Sequence, residues 1–242
     1  MRAILLAAGM GTRLRPITLK TPKSLIKING EPLLERQIKM LMEKGIKEII
    51  VVTGYLKESF DYLKEKYNVK LIHNDKYQEY NNIYTMYLVR KYLENAYVID
   101  ADVYLNKNFI KKNLNKSTYF AGEKNCIDEW RLHYGDNNKI FDITVESGVK
   151  IIMSGVSYWN KDDAKIIVEK LEEKIDILLG NIDSTANEKK QVNNLYWDNI
   201  VKENLDKLEV YIEKIEGTDW FEVDNLEELK ELEEYLNIQK NI

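Results

Sequence analysis

The sequence of 242 residues predicts a single α/β domain with a mostly parallel central sheet. Two observations in its first half favour this fold. Apolar runs typical of buried strands alternate with segments of helical periodicity, and the first apolar run leads directly into a turn of small residues. From residue 117 onward, strand-like runs follow one another with tight turns between them. That change predicts a smaller part that is rich in β-structure.

Predicted strands and helices alternate through the first half of the chain. The strands are expected at 2–7, 24–28, 48–53, 69–72 and 96–99. The helices are expected at 32–45, 57–67 and 83–93. Pro32 suits the first turn of a helix, and Gly45 suits the residue after its last turn. Because strand, helix and strand in this order form a right-handed crossover, we expect the strands to run parallel.

The second half of the chain predicts a different arrangement. Strands are expected at 118–121, 130–134, 139–145, 151–159 and 208–215. Helices are expected at 162–179, at 196–205 and from the capping pair Asp224 and Asn225 to Tyr235. The segment 180–194 is polar and has no clear periodicity, which predicts a mobile loop.

The composition argues against several classes of protein. Lys and Arg total 36 against 40 Asp and Glu, a net charge of −4 without a dense basic run, so we expect no nucleic-acid partner. No apolar stretch reaches the length of a membrane span, so we expect no membrane insertion. The single cysteine, Cys126, permits no internal disulfide and favours a cytoplasmic location. The sequence carries no signature of an oligomeric state.

The functional prediction depends on the turn after the first strand. Its sequence is A-A-G-M-G-T-R-L-R-P at 7–16, followed by T-P-K-S-L at 21–25. A strand that ends in small residues exposes backbone N–H groups, which suit an anionic phosphate. Arg13, Arg15 and Lys23 add positive charge to the same place. The alternative is an ordinary glycine turn with solvated basic residues.

Two common phosphate-binding loops do not match this segment. The dinucleotide-binding fingerprint requires a third small residue where Leu14 stands, and its helix would start before Pro16. The P-loop requires Gly-Lys followed by Ser or Thr, a pattern that is absent. The remaining two-part pattern, A-A-G-x-G-T-R-L-x-P and T-P-K-x-L, resembles the signature of the nucleotidyltransferases. These enzymes join a nucleoside triphosphate to a phosphorylated small molecule and release pyrophosphate.

The resemblance implies a Rossmann-like three-layer nucleotidyltransferase fold in one domain, with a nucleotide-binding half at 1–115 and an acceptor-binding half at 116–242. Ligands of such sheets bind at the carboxyl ends of the strands. Arg13, Lys23 and Asp102 are the expected catalytic residues, the two basic side chains acting on the triphosphate and the attacking phosphate. The expected nucleotide-binding residues are Leu6, Ala7, Ala8, Gly9, Met10, Gly11, Thr12, Arg13, Lys23, Gly54, Tyr55, Asn81 and Ala101.

Two acidic residues are candidate metal ligands. Asp102 follows the predicted strand at 96–99, and Asp224 follows the apolar run that ends at Val223. Two carboxylates that converge on a polyphosphate are what Mg²⁺ requires. Taken alone, Asp102 could equally be a turn residue and Asp224 a helix N-cap. The resemblance implies that both bind the metal, because the family's metal aspartates match both positions. Asp100 is a candidate for a supporting role.

Within the family, the resemblance is closest to the bacterial choline-phosphate cytidylyltransferases, which implies CTP and phosphocholine as substrates. It covers nearly the whole chain and includes G-Y-L-K-E at 54–58, V-I-D-A-D at 98–102 and L-Y-W-D-N at 195–199. A quaternary ammonium donates no hydrogen bonds, so aromatic faces and nearby carboxylates recognise it. The expected choline-binding residues are Trp130, Tyr196, Asp198, Glu129, Trp197 and Glu222.

Several alternatives stay open. Trp130 and Trp197 could belong to the core. The acceptor could be phosphoethanolamine, an aminophosphonate or a sugar 1-phosphate, since the 180–194 loop is longer than the family requires and directly precedes the predicted choline-binding segment. The chain could also be a non-catalytic nucleotide-binding module. Such modules are expected to lose the metal acids or the basic loop residues, which this sequence keeps.

Overall fold

One seven-stranded sheet organises the computed structural model, which describes residues 1–240. The strands are β1 (Arg2–Ala7), β2 (Lys27–Ile28), β3 (Glu31–Pro32), β4 (Glu48–Thr53), β5 (Lys70–His73), β6 (Ala96–Asp100), β7 (Val103–Leu105), β8 (Ser117–Tyr134), β9 (Ile140–Trp159), β10 (Val210–Lys214) and β11 (Trp220–Glu222). The helices are α1 (Leu33–Glu43), α2 (Tyr62–Tyr67), α3 (Asn82–Val89), α4 (Lys161–Leu179), α5 (Ala186–Asn193), α6 (Trp197–Lys202) and α7 (Leu226–Lys240). Within residues 1–240, no helix is both long and apolar enough to cross a membrane.

The large sheet is mostly parallel, with the strand order β10-β8-β9-β6-β1-β4-β5. Strand β1 runs parallel to β4 and β6, β5 runs parallel to β4, and β10 runs parallel to β8. Only β9 is antiparallel to its neighbours β6 and β8. Strands β1 and β4 are continuous apolar runs because both faces of the sheet are covered. The predicted fold class, α/β with a mostly parallel central sheet, is confirmed.

Helices on the two faces of the sheet give three layers. Ile4 of β1 belongs to one apolar core, together with Met86 of α3 and Ile167 of α4. Its neighbour Leu5 belongs to a second core, which includes Leu34 of α1 and Leu63 of α2. This alternation follows from the two-residue period of a strand. The sheet runs through both halves of the chain, so a site at its edge draws residues from both.

Strands β8 and β9 form a long hairpin that bends back on itself. They contain 18 and 20 residues, so the four short strands predicted at 118–121, 130–134, 139–145 and 151–159 are parts of two continuous strands. A bulge interrupts their pairing between Cys126 and Glu129, and Asp128 there adopts a φ of 54°. Beyond the bulge, Arg131 pairs with both Thr144 and Ile152. The outer half of the hairpin therefore folds against the inner half.

The prediction of a mobile loop at 180–194 is wrong over Ala186–Asn193, which form α5. Thr185 Oγ1 accepts a hydrogen bond from the Glu188 N–H, and the Glu188 carboxylate accepts one from the Thr185 N–H. This capping box starts the helix. Val192 is 6% exposed and joins the core on the α4 face of the sheet, which anchors the helix.

Two smaller predictions also need correction. The strand expected at 24–28 is a 3₁₀ turn, Lys23–Leu25, followed by the two-residue β2. Asn225 rather than Asp224 caps α7, because the Asn225 side-chain oxygen accepts from two backbone N–H groups of the first turn. The Asp224 carboxylate is thus left to face other side chains.

Candidate active site

The loop after β1 packs tightly but leaves its first glycine uncovered. Gly11 adopts a φ of 59°, and a Cβ atom there would lie 2.9 Å from Lys23 Cβ, so the position requires glycine. Thr18 Oγ1 donates a hydrogen bond to the Gly11 carbonyl oxygen at 2.8 Å and closes the loop. A Cβ atom on Gly9, in contrast, would meet no heavy atom within 4 Å. The backbone at Gly9 therefore borders open space that a ligand can approach closely.

Lys23 joins the two candidate metal ligands. Its ammonium donates to Asp102 Oδ2 at 2.7 Å and also to Asp224 Oδ1, while Arg13 Nη2 donates to Asp224 Oδ2 at 2.7 Å. Burial lowers the pKa of Lys23, but the charges of both aspartates outweigh it and raise that pKa above its usual range. For Asp224, burial alone would raise the pKa, but the positive charges of Lys23 and Arg13 outweigh burial and leave that pKa below its usual range. Lys23 and Asp224 are therefore both charged at neutral pH.

Main-chain pairing brings the two aspartates together. Strand β7 begins directly after Asp102 and pairs antiparallel with β11, which ends shortly before Asp224. The Val223 N–H donates to the Asp102 carbonyl oxygen at 3.2 Å, which extends this pairing. The two carboxylates meet because of this register, although they lie far apart in the sequence.

The aspartate pair fits a divalent cation. The carboxylates of Asp102 and Asp224 already converge on one positive charge, the Lys23 ammonium, and carboxylate oxygen is a donor that Mg²⁺ prefers. Within residues 1–240, no group of three or more His, Cys, Asp and Glu side chains could hold a metal ion. A cation bound by these two residues would take its other ligands from substrate oxygens and water, as Mg²⁺ commonly does.

One cavity of about 660 Å³ is lined both by this charged cluster and by a pair of aromatic rings. The rings of Trp130 and Tyr196 meet edge to face, with their centroids 6.3 Å apart. Tyr196 is 50% exposed, so much of its surface is free for a ligand. The lining includes these predicted site residues: Arg13, Lys23, Asp102, Glu129, Trp130, Tyr196, Trp197, Asp198, Glu222 and Asp224.

Carboxylates in the wall of the cavity have raised pKa values. Burial raises the pKa of Asp198 to about 6, although Tyr119 Oη donates to its Oδ1 at 2.7 Å and favours the charged form. Burial raises the pKa of Glu222 to about 8, and the negative charge of Glu129 adds to this effect. Burial also raises the pKa of Asp100, which lines the same cavity. At neutral pH Asp198 is therefore mostly ionised, whereas Glu222 is mostly protonated, so Asp198 is the carboxylate of these that offers negative charge to a cationic ligand.

Trp197 differs from the other predicted choline-binding residues. It is 2% exposed, and its ring packs edge to face on the buried Trp159, with centroids 5.5 Å apart. It therefore borders the cavity from inside the core. This position matches the alternative, left open by the sequence, that Trp197 is a core residue.

The predicted nucleotide-binding residues fall into two groups. Leu6, Ala7, Gly9 and Ala101 line a small cleft of about 40 Å³ beside Lys23 and Asp102. The others apart from Arg13 and Lys23 line neither space: Ala8, Met10, Gly11, Thr12, Gly54, Tyr55 and Asn81.

Some residues of the second group have structural contacts instead. Gly54 supports the loop, because a Cβ atom on it would lie 2.6 Å from the Ala8 carbonyl oxygen. The Asn81 side chain accepts from the Asn82 N–H at the start of α3 and donates to the Asn194 carbonyl oxygen. Asn82, rather than Asn81, lines the large cavity.

Sequence reasoning missed Tyr119 and Ile127, which also line the large cavity. Tyr119 lies in a predicted strand. The alternation of side chains along a strand assigns Tyr119 to one face of the sheet but does not identify its contact with Asp198. Ile127 precedes Asp128 in the bulge of β8, and no glycine or proline marks that bulge in the sequence. Nothing local to residue 127 predicts its place in the cavity wall.

The fold and the site together are those of an α/β protein that acts on nucleoside phosphates. Residues 2–127 match the family model described as nucleotidyl transferase. The chain is 49% identical over 237 residues to choline-phosphate cytidylyltransferase from Streptococcus pneumoniae (strain ATCC BAA-255 / R6), covering 98% of each. It is 40% identical over 229 residues to choline-phosphate cytidylyltransferase from Haemophilus influenzae, covering 94% of each.

A solved structure is similar to this chain over nearly its whole length. CTP:phosphocholine cytidylyltransferase from Streptococcus pneumoniae matches with a TM-score of 0.89 and 48% identity, over 97% of this chain and 98% of that one. The chain belongs to the nucleotidyl transferase family, as the loop signature predicts.

Proposed function

We propose that this protein is a cytidylyltransferase that joins CTP and phosphocholine to form CDP-choline and pyrophosphate. The observation that carries the proposal is that one cavity of about 660 Å³ is lined both by Lys23 and Asp102 and by Trp130 and Tyr196. Its volume falls in the range typical of small-molecule sites. The two relatives that match nearly the full chain are named for the same activity.

The nucleotide binds in this proposal at the end of β1. The uncovered backbone at Gly9 faces the triphosphate, and the small cleft between Leu6 and Ala101 borders the space that the nucleoside occupies. Arg13 and Lys23 supply the positive charge that a triphosphate requires. Residues 1–115 thus bind mainly the nucleotide, and residues 116–242 bind mainly the acceptor while also contributing Asp224.

The acceptor supplies the nucleophile. A phosphate oxygen of phosphocholine attacks the α-phosphorus of CTP, the bond from the α-phosphorus to the bridging oxygen breaks, and pyrophosphate leaves. The protein positions the two substrates and neutralises their charge. Lys23 exchanges its aspartate partners for phosphate oxygens of the attacking group, and Arg13 holds the triphosphate.

The metal in this proposal is Mg²⁺, held by Asp102 and Asp224. When bound there, it would neutralise charge on the phosphates of the nucleotide. Asp100 lines the cavity next to this pair, and burial raises its pKa, so it supports the site as a neutral carboxyl group. The cytoplasmic location that a single cysteine favours belongs to the same proposal.

The head group of the acceptor binds between aromatic and acidic side chains. Trp130 and Tyr196 present ring surfaces to the trimethylammonium, which attracts the electron-rich faces of aromatic rings. Asp198, Glu129 and Glu222 add carboxyl groups around the same space. Trp197 supports the wall from the core.

A pyrophosphate-release assay tests the proposal. CTP, UTP and dTTP are each combined with phosphocholine, phosphoethanolamine, 2-aminoethylphosphonate and glucose 1-phosphate. We expect the highest kcat/KM for CTP with phosphocholine. Turnover of glucose 1-phosphate without turnover of phosphocholine would overturn the acceptor assignment. CTP binding without pyrophosphate release from any pair would indicate a non-catalytic module.

A further inference from the structure

Ile127 is an apolar side chain left open to solvent in the wall of the large cavity. It is 82% exposed, more than any other large apolar side chain described as exposed within residues 1–240. The same cavity is lined by Trp130 and Tyr196. Leaving an aliphatic side chain in water costs free energy that contact with an apolar ligand group recovers.

The position of Ile127 is fixed by the bulge that carries it. The Asp128 N–H donates to Ser147 Oγ at 2.9 Å, and Ser147 Oγ donates back to Asp128 Oδ1 at 3.0 Å. On the other side, Cys126 Sγ donates to the Gly148 carbonyl oxygen at 3.3 Å. Hydrogen bonds to β9 therefore hold both neighbours of Ile127. Such a preorganised contact costs little conformational entropy when a ligand binds.

The chemistry of the cavity indicates what Ile127 contacts. Three methyl groups on a quaternary nitrogen present an apolar surface that carries a positive charge. The rings of Trp130 and Tyr196 and the carboxylate of Asp198 suit the charge, whereas Ile127 suits the methyl groups alone. A primary ammonium requires hydrogen-bond acceptors and gains nothing from an aliphatic neighbour.

We propose that Ile127 is a specificity-determining residue that favours a trimethylated over a primary ammonium acceptor. This inference rests on the proposed function, because it assigns a contact to the head group of phosphocholine. Ile127 takes no part in the phosphate chemistry at Lys23 and Asp102. Its effect therefore falls on the KM of the acceptor and not on the KM of CTP.

The test compares Ile127→Ser with Val149→Ser. Val149 is 64% exposed on the same hairpin, but it lines a different cleft, so its variant controls for loss of a β-branched side chain. For each variant and the wild type, kcat/KM is measured with CTP and either phosphocholine or phosphoethanolamine. We expect Ile127→Ser to lower the phosphocholine-to-phosphoethanolamine ratio about tenfold, the effect of removing a small apolar contact. Val149→Ser should leave the ratio unchanged.

A binding measurement separates the contact from turnover. Choline chloride is titrated into each protein while tryptophan fluorescence is recorded, and Ile127→Ser should bind choline more weakly than Val149→Ser. An unchanged ratio, or a rise in the KM of CTP alone, would overturn the inference while leaving the proposed function intact. A wild type that does not use phosphocholine would refute both.

Discussion

The ammonium of Lys23 lies between the carboxylates of Asp102 and Asp224, hydrogen-bonded to both. Lys23 belongs to the loop after β1, and the two acids flank the β7–β11 pair, so one side chain links two separate parts of the fold. Its positive charge offsets the repulsion between two carboxylates that share one partner. Any cation that replaces it there must do the same.

Lys23→Met should lower stability and make the protein respond to Mg²⁺. Without the ammonium, two partly buried carboxylates face each other, so we expect a loss of about 2 kcal/mol in the free energy of unfolding. MgCl₂ without nucleotide should then raise the Tm of the variant more than that of the wild type. Thermal unfolding in EDTA and in MgCl₂ measures both effects. Lys20→Met, an exposed residue of the same loop, is the control. Equal responses to Mg²⁺ would mean that the ammonium and the metal do not compete for the acids.

Asp102→Asn should abolish most of the turnover and preserve the fold. The amide is close in size to the carboxylate but carries no charge, so we expect kcat to fall at least about 100-fold. Circular dichroism and Tm verify that the variant is folded. Asp206→Asn, on the exposed surface, should retain full activity. Near-normal turnover of the Asp102 variant would show that this residue does not hold the metal.

The KM of phosphocholine should rise as the pH falls through about 6, since Asp198 has its pKa there. Protonation removes the negative charge that attracts the head group, so affinity is highest when Asp198 is ionised. Tyr119→Phe removes the hydrogen bond that holds this pKa down, so its profile should shift to higher pH. Asp198→Asn should lose the contribution of this carboxyl and keep only the titration of the substrate phosphate, whose second pKa is about 6. Because Asp100 also faces the cavity, a profile unchanged from the wild type would assign the titration to another group.

Gly9→Ala should fold normally but bind CTP poorly. An added methyl group at residue 9 meets no protein atom within 4 Å, so it can clash only with the ligand. At Gly54, in contrast, the methyl group would lie 2.6 Å from the Ala8 carbonyl oxygen, and we expect Gly54→Ala to cost about 2 kcal/mol of stability. Tm and CTP titration are measured for both variants. An unchanged CTP affinity in Gly9→Ala would place the phosphates elsewhere.

Tyr196→Ala and Trp197→Ala should have different effects although the residues are neighbours. Tyr196 is half exposed in the cavity, so its removal should raise the KM of phosphocholine with little change in Tm. Trp197 is in the core, and its removal should cost about 3–5 kcal/mol in the free energy of unfolding. Urea unfolding and steady-state kinetics distinguish the two. A stable Trp197→Ala variant with a raised KM would make that residue a ligand contact rather than a core residue.

The sequence was sufficient to predict where residues lie when their position is tied to a local signal. Lys23 belongs to a recognisable loop pattern, and Asp102 follows directly from a buried strand. The alternating strands and helices of the first half also define the parallel sheet, because the crossover rule leaves few arrangements. The resemblance implied that Asp102 and Asp224 converge, but the direct bridge by Lys23 was not predicted, since that contact depends on pairing between distant strands.

Other features were missed for different physical reasons. The capping box at Thr185 is visible as T-x-x-E, but the polar residues around it hide the helical period of α5. The bulge at Asp128 lacks glycine and proline, so the sequence gives no warning that β8 bends and presents Ile127 to the cavity. Gly54 is near the loop as expected, but it acts by allowing close packing against Ala8.

The hydrogen bond from Val223 to the Asp102 carbonyl has a consequence for biosynthesis. During translation the earlier residues emerge first and can begin to fold, but the chain must be made past residue 224 before the acidic pair exists. A ribosome-bound nascent chain can therefore complete the β1 loop while it still lacks Asp224, one of the two proposed metal ligands. We expect activity to begin only when residue 224 has left the exit tunnel.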